Sequence, residues 1–380
     1  MKEYLRKGWR VGLAVTVFGA SCLGAAPGAA HPTFFAVPRL RPASAPPDSS
    51  GSANSLAPAN PGAVRDRDSV GARRPRRSDY PAPGGGFYHY ERPRAFSFLP
   101  NIVRDLGATP RATFRREQVP LIAGVVSSSF ILWGADQEFT DGAKWVGRKL
   151  NLSARSTQKT LVEVPIRYGK GNKLDLEFNV PDNLNSTFYY LGDGWTHLSV
   201  TGGFWAYGLI GRDNRAAQTA SQLLESILVT GLATQTIKHL TGRESPYTTT
   251  YPRGRWRLFP NQVTYSKNVP NYDAYPTGHL ATAMTTLTVI ADNYPEYRFI
   301  RPVGYGLMGL LGYAMLNNGV HWASDYPLGI AMGWGFAKLA VVRGRREVPA
   351  PGSLGAHRAA RRGEWRAGPG PGGVGVSYHW

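Results

Sequence analysis

Apolar positions recur at helical spacing through the middle of the chain. Val119 to Trp133 is almost wholly apolar, with Pro120 in a first turn where its missing N–H costs little, and this predicts a buried helix. Further helices are expected over about Asp141–Lys149 and Gly192–Leu209. After Asp213, Leu223, Leu224, Ile227, Leu228 and Leu232 follow a three-and-four spacing that carries a fourth helix to Lys238. A fifth runs from Thr277 to about Asp292, with Pro295 barring its continuation. A sixth is expected over about Pro302–Met315 and a last over about Trp322–Val342. Residues 153–182 read as loop with short strands near Leu174–Val180, and 241–275 as a loop rich in Pro, Tyr and Arg. The expected fold class is therefore all-α, a bundle of about six core helices over residues 97–345. Several helices are apolar nearly all round, which suits a membrane-embedded bundle or the centre of a large soluble one. None has the roughly 20 strongly apolar residues of a clear span, and His197, Glu225, Lys238 and Lys338 interrupt them.

Composition changes the picture at the two ends. Gly and Pro crowd there, so residues 31–96 read as a disordered Pro/Arg-rich spacer and 346–380 as a basic Gly/Pro-rich tail. Within that tail, Gly373–Trp380 alternates as a short strand would. Residues 1–30 have the order of a secretory signal peptide: Lys2, Arg6, Lys7 and Arg10, then apolar Val11–Ala26, then small residues to Ala30. A lipoprotein signal acylated at Cys22 and a retained membrane helix are the alternatives. Each places the remainder in the cell envelope, either in the inner membrane facing the periplasm or in the periplasm.

The net charge of +19 sits largely in Arg clusters of the two ends, such as Arg73–Arg77 and Arg358–Arg366. Such runs are solvated tails, and no nucleic-acid motif accompanies them, so nucleic acid is not an expected partner. Anionic lipid headgroups or envelope polymers suit exposed arginines better. The single cysteine, Cys22, excludes an intrachain disulfide and a cysteine-based metal site.

Three segments carry candidate chemistry. Lys238-His239-Leu240-Thr241-Gly242-Arg243-Glu244-Ser245-Pro246 places a lysine at a helix end and an arginine in the following turn. Tyr275-Pro276-Thr277-Gly278-His279 opens a helix, whose free N–H groups and dipole favour an anion beside His279. His321-Trp322-Ala323-Ser324-Asp325 puts His and Asp at i and i+4, so that one ring nitrogen can be held and the other left to attack. A lone histidine in a bundle is more often structural, and a lysine at a helix end usually offsets the dipole. Two histidines, a carboxylate, a glycine-containing helix start and a basic cluster together make a phosphate site.

These segments resemble the motifs of the type 2 phosphatidic acid phosphatase and vanadium haloperoxidase superfamily: Lys, six residues, Arg-Pro; Pro-Ser-Gly-His; and Ser-Arg, five residues, His, three residues, Asp. The resemblance implies His321 as nucleophile, Asp325 as its orienter, and His279 as general acid. It implies Lys238, with the Thr277, Gly278 and His279 backbone, as the phosphate cradle, and no metal or cofactor. The implied function is metal-independent hydrolysis of a phosphate ester or pyrophosphate, lipid-linked, through a phosphohistidine outside the cytoplasm, with lipid phosphate or a phosphorylated small molecule as partner. A soluble periplasmic acid phosphatase, a haloperoxidase and a non-catalytic envelope protein are the other readings. Two expected arginines are replaced, by Ser245 and by Met315 of the Ala314-Met315 pair. Each charged hydrogen bond to phosphate is worth roughly 1.5–3 kcal/mol. The expectation is that Arg243, with one of Arg253, Arg255 and Arg257, takes over part of that clamp, and that Asn317 and Asn318 donate neutral hydrogen bonds.

Overall fold

The computed structural model describes residues 76–350 and the strands at 364–370 and 373–379, apart from residues 84, 95, 114, 115 and 169–171. The expected signal peptide and the expected spacer up to residue 75 lie outside the described residues. The all-α class holds, with one three-stranded sheet and two strand pairs added among the described residues.

The bundle is centred on a 28-residue helix, Asn214–Thr241 (α6). Asp213 caps it by accepting the Ala216 N–H, which satisfies one of the free donors of the first turn. It is buried nearly all round because helices cover it on several sides. Phe98–Thr113 (α1), Gly194–Ile210 (α5), Gly278–Asn293 (α8) and Tyr326–Gly344 (α10) pack on it. One core joins Leu223 and Ile227 of α6 to Val289 of α8 and Ala337 and Val341 of α10. α10 crosses α8 closely: a Cβ on Gly333 would stand 2.4 Å from the Ala281 carbonyl. A second core joins Leu280, Met284 and Leu287 of α8 to Met308, Leu311 and Met315 of Ile300–Asn318 (α9).

The apolar run forms Val119–Gly134 (α2), and Asp136–Lys149 (α3) follows after a 66° bend. Leu184–Tyr190 (α4) and Gln262–Lys267 (α7) are short. Among the described residues no single helix is long and apolar enough to cross a membrane; the bent pair α2–α3 passes that test only jointly.

Four sequence expectations change. The spacer does not extend to residue 96: Asp79–Pro81 (β1) and Phe87–His89 (β2) form an antiparallel sheet with Arg346–Val348 (β5). Tyr80 and Tyr90 beside these strands are buried, and Tyr80 donates to Asp213, so aromatic side chains anchor a Pro-rich stretch to the start of α6. A helix, α1, precedes the one expected first. Gln158–Tyr168 (β3) and Asn172–Pro181 (β4) pair antiparallel, because backbone pairing between the two strands replaces the burial that a core strand would need. The last helix begins at Tyr326, because Asp325 closes a capping turn ahead of it. The alternating terminal segment is a strand, Gly373–His379 (β7), paired with Glu364–Gly370 (β6).

Candidate active site

Gly242 ends α6 in the left-handed conformation (φ +55°), donating its N–H to the Lys238 carbonyl. A side chain there would stand 2.2 Å from the Arg257 carbonyl, so only glycine fits. The reversal sends Lys238 and Arg243 to different partners. Lys238 is buried, its Nζ 2.9 Å from Asp273 Oδ2, and Asp273 Oδ1 accepts the Tyr265 hydroxyl at 2.7 Å.

Arg243 is fully buried and held through both terminal nitrogens. Nη1 donates to Ser324 Oγ (2.7 Å) and Asp325 Oδ1 (2.5 Å); Nη2 donates to Asp136 Oδ2 (2.6 Å) and the Arg253 carbonyl (2.9 Å). The indoles of Trp256 and Trp322 flank it. Both terminal nitrogens are thus committed to carboxylates, and the expected phosphate clamp at Arg243 gives way to a counter-ion that fixes Asp325. The loop arginines are engaged as well. Arg253 donates to the Gly134 carbonyl, Arg257 pairs with Glu244, and Arg255 lies over Tyr251. Asn317 Nδ2 donates to the Ser153 carbonyl and Asn185 Oδ1, whereas Asn318 accepts from Asn185 through Oδ1 and its Nδ2 has no partner among the described residues.

Asp136 is the residue that sequence reading passes over. It is fully buried at the α2–α3 bend and accepts from Arg243, Ser324 N (2.9 Å) and Ser324 Oγ (2.6 Å). Burial pushes its carboxyl upward from the ordinary value, against the Arg243 charge and the Ser324 hydrogen bonds. A signal was present: a carboxylate directly after an apolar run has to be paired if it is buried.

His321 does not sit on a helix face with Asp325. It lies just before the capping turn, in which Asp325 Oδ2 accepts the Trp322 N–H at 2.7 Å. His321 Nδ1 is 2.6 Å from the Ala274 carbonyl and 3.6 Å from Asp325 Oδ2. A carbonyl only accepts, so Nδ1 carries the proton and a neutral ring has its lone pair on Nε2. The main orienting contact is therefore backbone, with Asp325 second.

His279 lies in the first turn of α8, its ring centroid 6.3 Å from that of His321 and 4.6 Å from that of Tyr189. Gly192 backs it closely, since a Cβ there would stand 2.6 Å from the His279 Cβ. Thr277 is the N-cap, its N–H bonded to the Asp325 carbonyl, and Gly278 begins the helix. The Thr277 hydroxyl meets Met315 Sδ at 3.6 Å. Met315 is part of the apolar core and Ser245 is buried with its N–H on the Pro270 carbonyl, so packing occupies both vacated arginine positions.

A family model described as the PAP2 superfamily matches residues 219–348. Residues 219–348 belong to that superfamily. No curated protein and no solved structure matches the chain. The matched PAP2 segment contains all three motifs, whereas Asp136, which completes the Arg243 network, precedes it. Membership supports a phosphatase-type activity on a phosphorylated substrate.

Burial holds two histidines of the bundle neutral, His197 ahead of the matched PAP2 segment and His279 within it. It pushes His197 down to about 3, and it pushes His279 well below its ordinary value, with His321, Lys238 and His197 adding to the effect. In the unfolded chain both rings gain a proton near pH 6.5. Their contribution to stability is therefore complete above that pH and is lost as pH falls toward the folded values, at about 1.4 kcal/mol per pH unit per ring. Urea unfolding of His197→Gln between pH 6.5 and 4.5 is expected to show a slope shallower by one such ring. An unchanged slope would mean that His197 already carries its proton in the fold.

Proposed function

We propose that this protein is a phosphatase that hydrolyses a phosphate ester or pyrophosphate by way of a phosphohistidine at His321. The observation carrying this reading is the Nδ1–H of His321 donated to the Ala274 carbonyl, which leaves Nε2 as the nucleophilic atom, with the His279 ring 6.3 Å from that of His321 and the Lys238 charge acting on His279. Nε2 attacks phosphorus, a P–N bond forms, and the P–O bond to the leaving group breaks. The leaving oxygen takes its proton from His279. His279 then accepts a proton from the water that attacks phosphorus, the P–N bond breaks, and phosphate leaves with His321 restored. Because burial keeps His279 neutral, the proton it gives arrives with the substrate or after the phosphate anion is seated. Lys238 and the first-turn N–H groups of α8 face the phosphoryl oxygens.

A lipid-linked substrate is favoured by the apolar side chains left exposed on three helices: Phe130 and Ile131 of α2, Trp205 and Ile210 of α5, and Val303 and Leu307 of α9. With the exported leader expected from residues 1–30, the reading places the reaction outside the cytoplasm, in the envelope. Quenching turnover with alkali and digesting the protein is expected to yield a base-stable, acid-labile phosphate on the peptide containing His321. Phosphate on a serine or aspartate instead would rule out this route.

A further inference from the structure

We infer that Asp273 sets the charge of the phosphate this site accepts, selecting a singly negative phosphoryl group over a doubly negative one. The inference rests on the phosphatase reading for the location of the seat and goes beyond it in naming the ionic form bound.

The ground is a count of charges. Lys238 is the cation left at the seat, because the two arginine positions of the motif pattern hold Ser245 and Met315. Its Nζ is already 2.9 Å from Asp273 Oδ2. Arg243 contributes no surplus either, since it is matched by two buried carboxylates, Asp136 and Asp325. The N-terminus of α8 adds about half a positive charge. Lys238 and Asp273 cancel, and Arg243 with its two ionised carboxylates is negative by one charge, so the helix end is the uncompensated positive element at the seat and each further negative charge on the ligand is opposed.

The other groups facing Asp273 do not alter the count. Tyr265 from α7 donates to it. Tyr189 from α4 and Tyr247 from the loop feel its charge, and burial pushes all three phenols upward, Tyr247 to about 12, so they keep their protons. His279 from α8 is held neutral by burial. His321 lies close by, on the carbonyl of Ala274, the residue after Asp273. A phosphate monoester changes from one negative charge to two near pH 6, so the second charge would meet a carboxylate whose ion-pair partner among the described residues is Lys238. In the singly charged form the ester also brings the proton that neutral His279 lacks.

Calorimetric titration of the full chain with two probes tests this directly. Dimethyl phosphate is singly charged throughout, and methyl phosphate becomes doubly charged above about pH 6. Wild type is expected to bind methyl phosphate about tenfold or more tightly at pH 5 than at pH 8, and dimethyl phosphate about equally at both. Asp273→Asn should erase the difference for methyl phosphate by strengthening its binding at pH 8, and Asp273→Glu should keep it. The dimethyl phosphate arm removes any effect of the protein's own titration. Equal methyl phosphate affinity at the two pH values in wild type overturns the inference. So does an Asp273→Asn variant that weakens both probes by one factor at both pH values, which would make Asp273 only a support for Lys238. If the binding pattern holds but wild type turns over no phosphate ester, the charge selection stands and the catalytic reading fails.

Discussion

Replacing His321 by alanine is expected to lower kcat for phosphate-ester hydrolysis by about 10⁴-fold or more, since on the proposed route it removes the nucleophile and with it the covalent intermediate. The ring is buried and its Nδ1–H satisfies the Ala274 carbonyl. Alanine therefore also leaves a buried acceptor unpaired, at a cost of about 1–3 kcal/mol. His321→Asn separates the two effects. Its side-chain amide can reach toward the same carbonyl, so most of the stability should return while turnover stays lost. Steady-state rates with melting temperatures for both variants check this. An asparagine variant with appreciable turnover would show that the ring nitrogen is not the attacking atom.

The second large effect concerns Arg243. Its guanidinium bridges Asp136 and Asp325, with all three groups fully buried. Removing one partner of such a network leaves uncompensated charge in the interior and costs about 3–5 kcal/mol. Arg243→Met is expected to lower the melting temperature by roughly 5–15 °C for a domain of this size. Arg243→Lys should do little better, because one ammonium cannot reproduce the planar fork across two carboxylates. Combining Arg243→Met with Asp136→Asn should recover part of the loss, as coupled sites are non-additive. The competing expectation, a phosphate clamp at Arg243, predicts a raised KM with an unchanged melting temperature. That outcome would show that the guanidinium turns from its carboxylates to the substrate.

Much of the helical order is legible one segment at a time. The apolar run of α2, the three-and-four spacing of α6 and the proline after α8 place helices near their observed positions because periodicity and capping are local properties. The departures occur where stability comes from partners remote in sequence. Residues 79–81 and 87–89 become strands through Tyr80 against the Asp213 cap of α6 and Tyr90 against Asn293 at the end of α8. The β3–β4 pair carries an irregularity between Thr160 and Val162, which breaks the alternation a reader would look for. His321 and Asp325 share a spacing that suggests a helix face, yet the carboxylate also accepts its own turn's N–H and an arginine, so the segment closes into a cap.

The order of residues by itself determined the three motifs, the two histidines, the aspartate and the loss of two arginines, because these are matters of identity and spacing. Only the tertiary structure decided what each cation faces. Lys238 meets Asp273 across 35 residues and Arg243 meets Asp136 across 107. The physical reason is that burying a charge is costly unless a counter-charge arrives with it. Which counter-charge arrives depends on how helices pack around the bundle, and local spacing does not encode that.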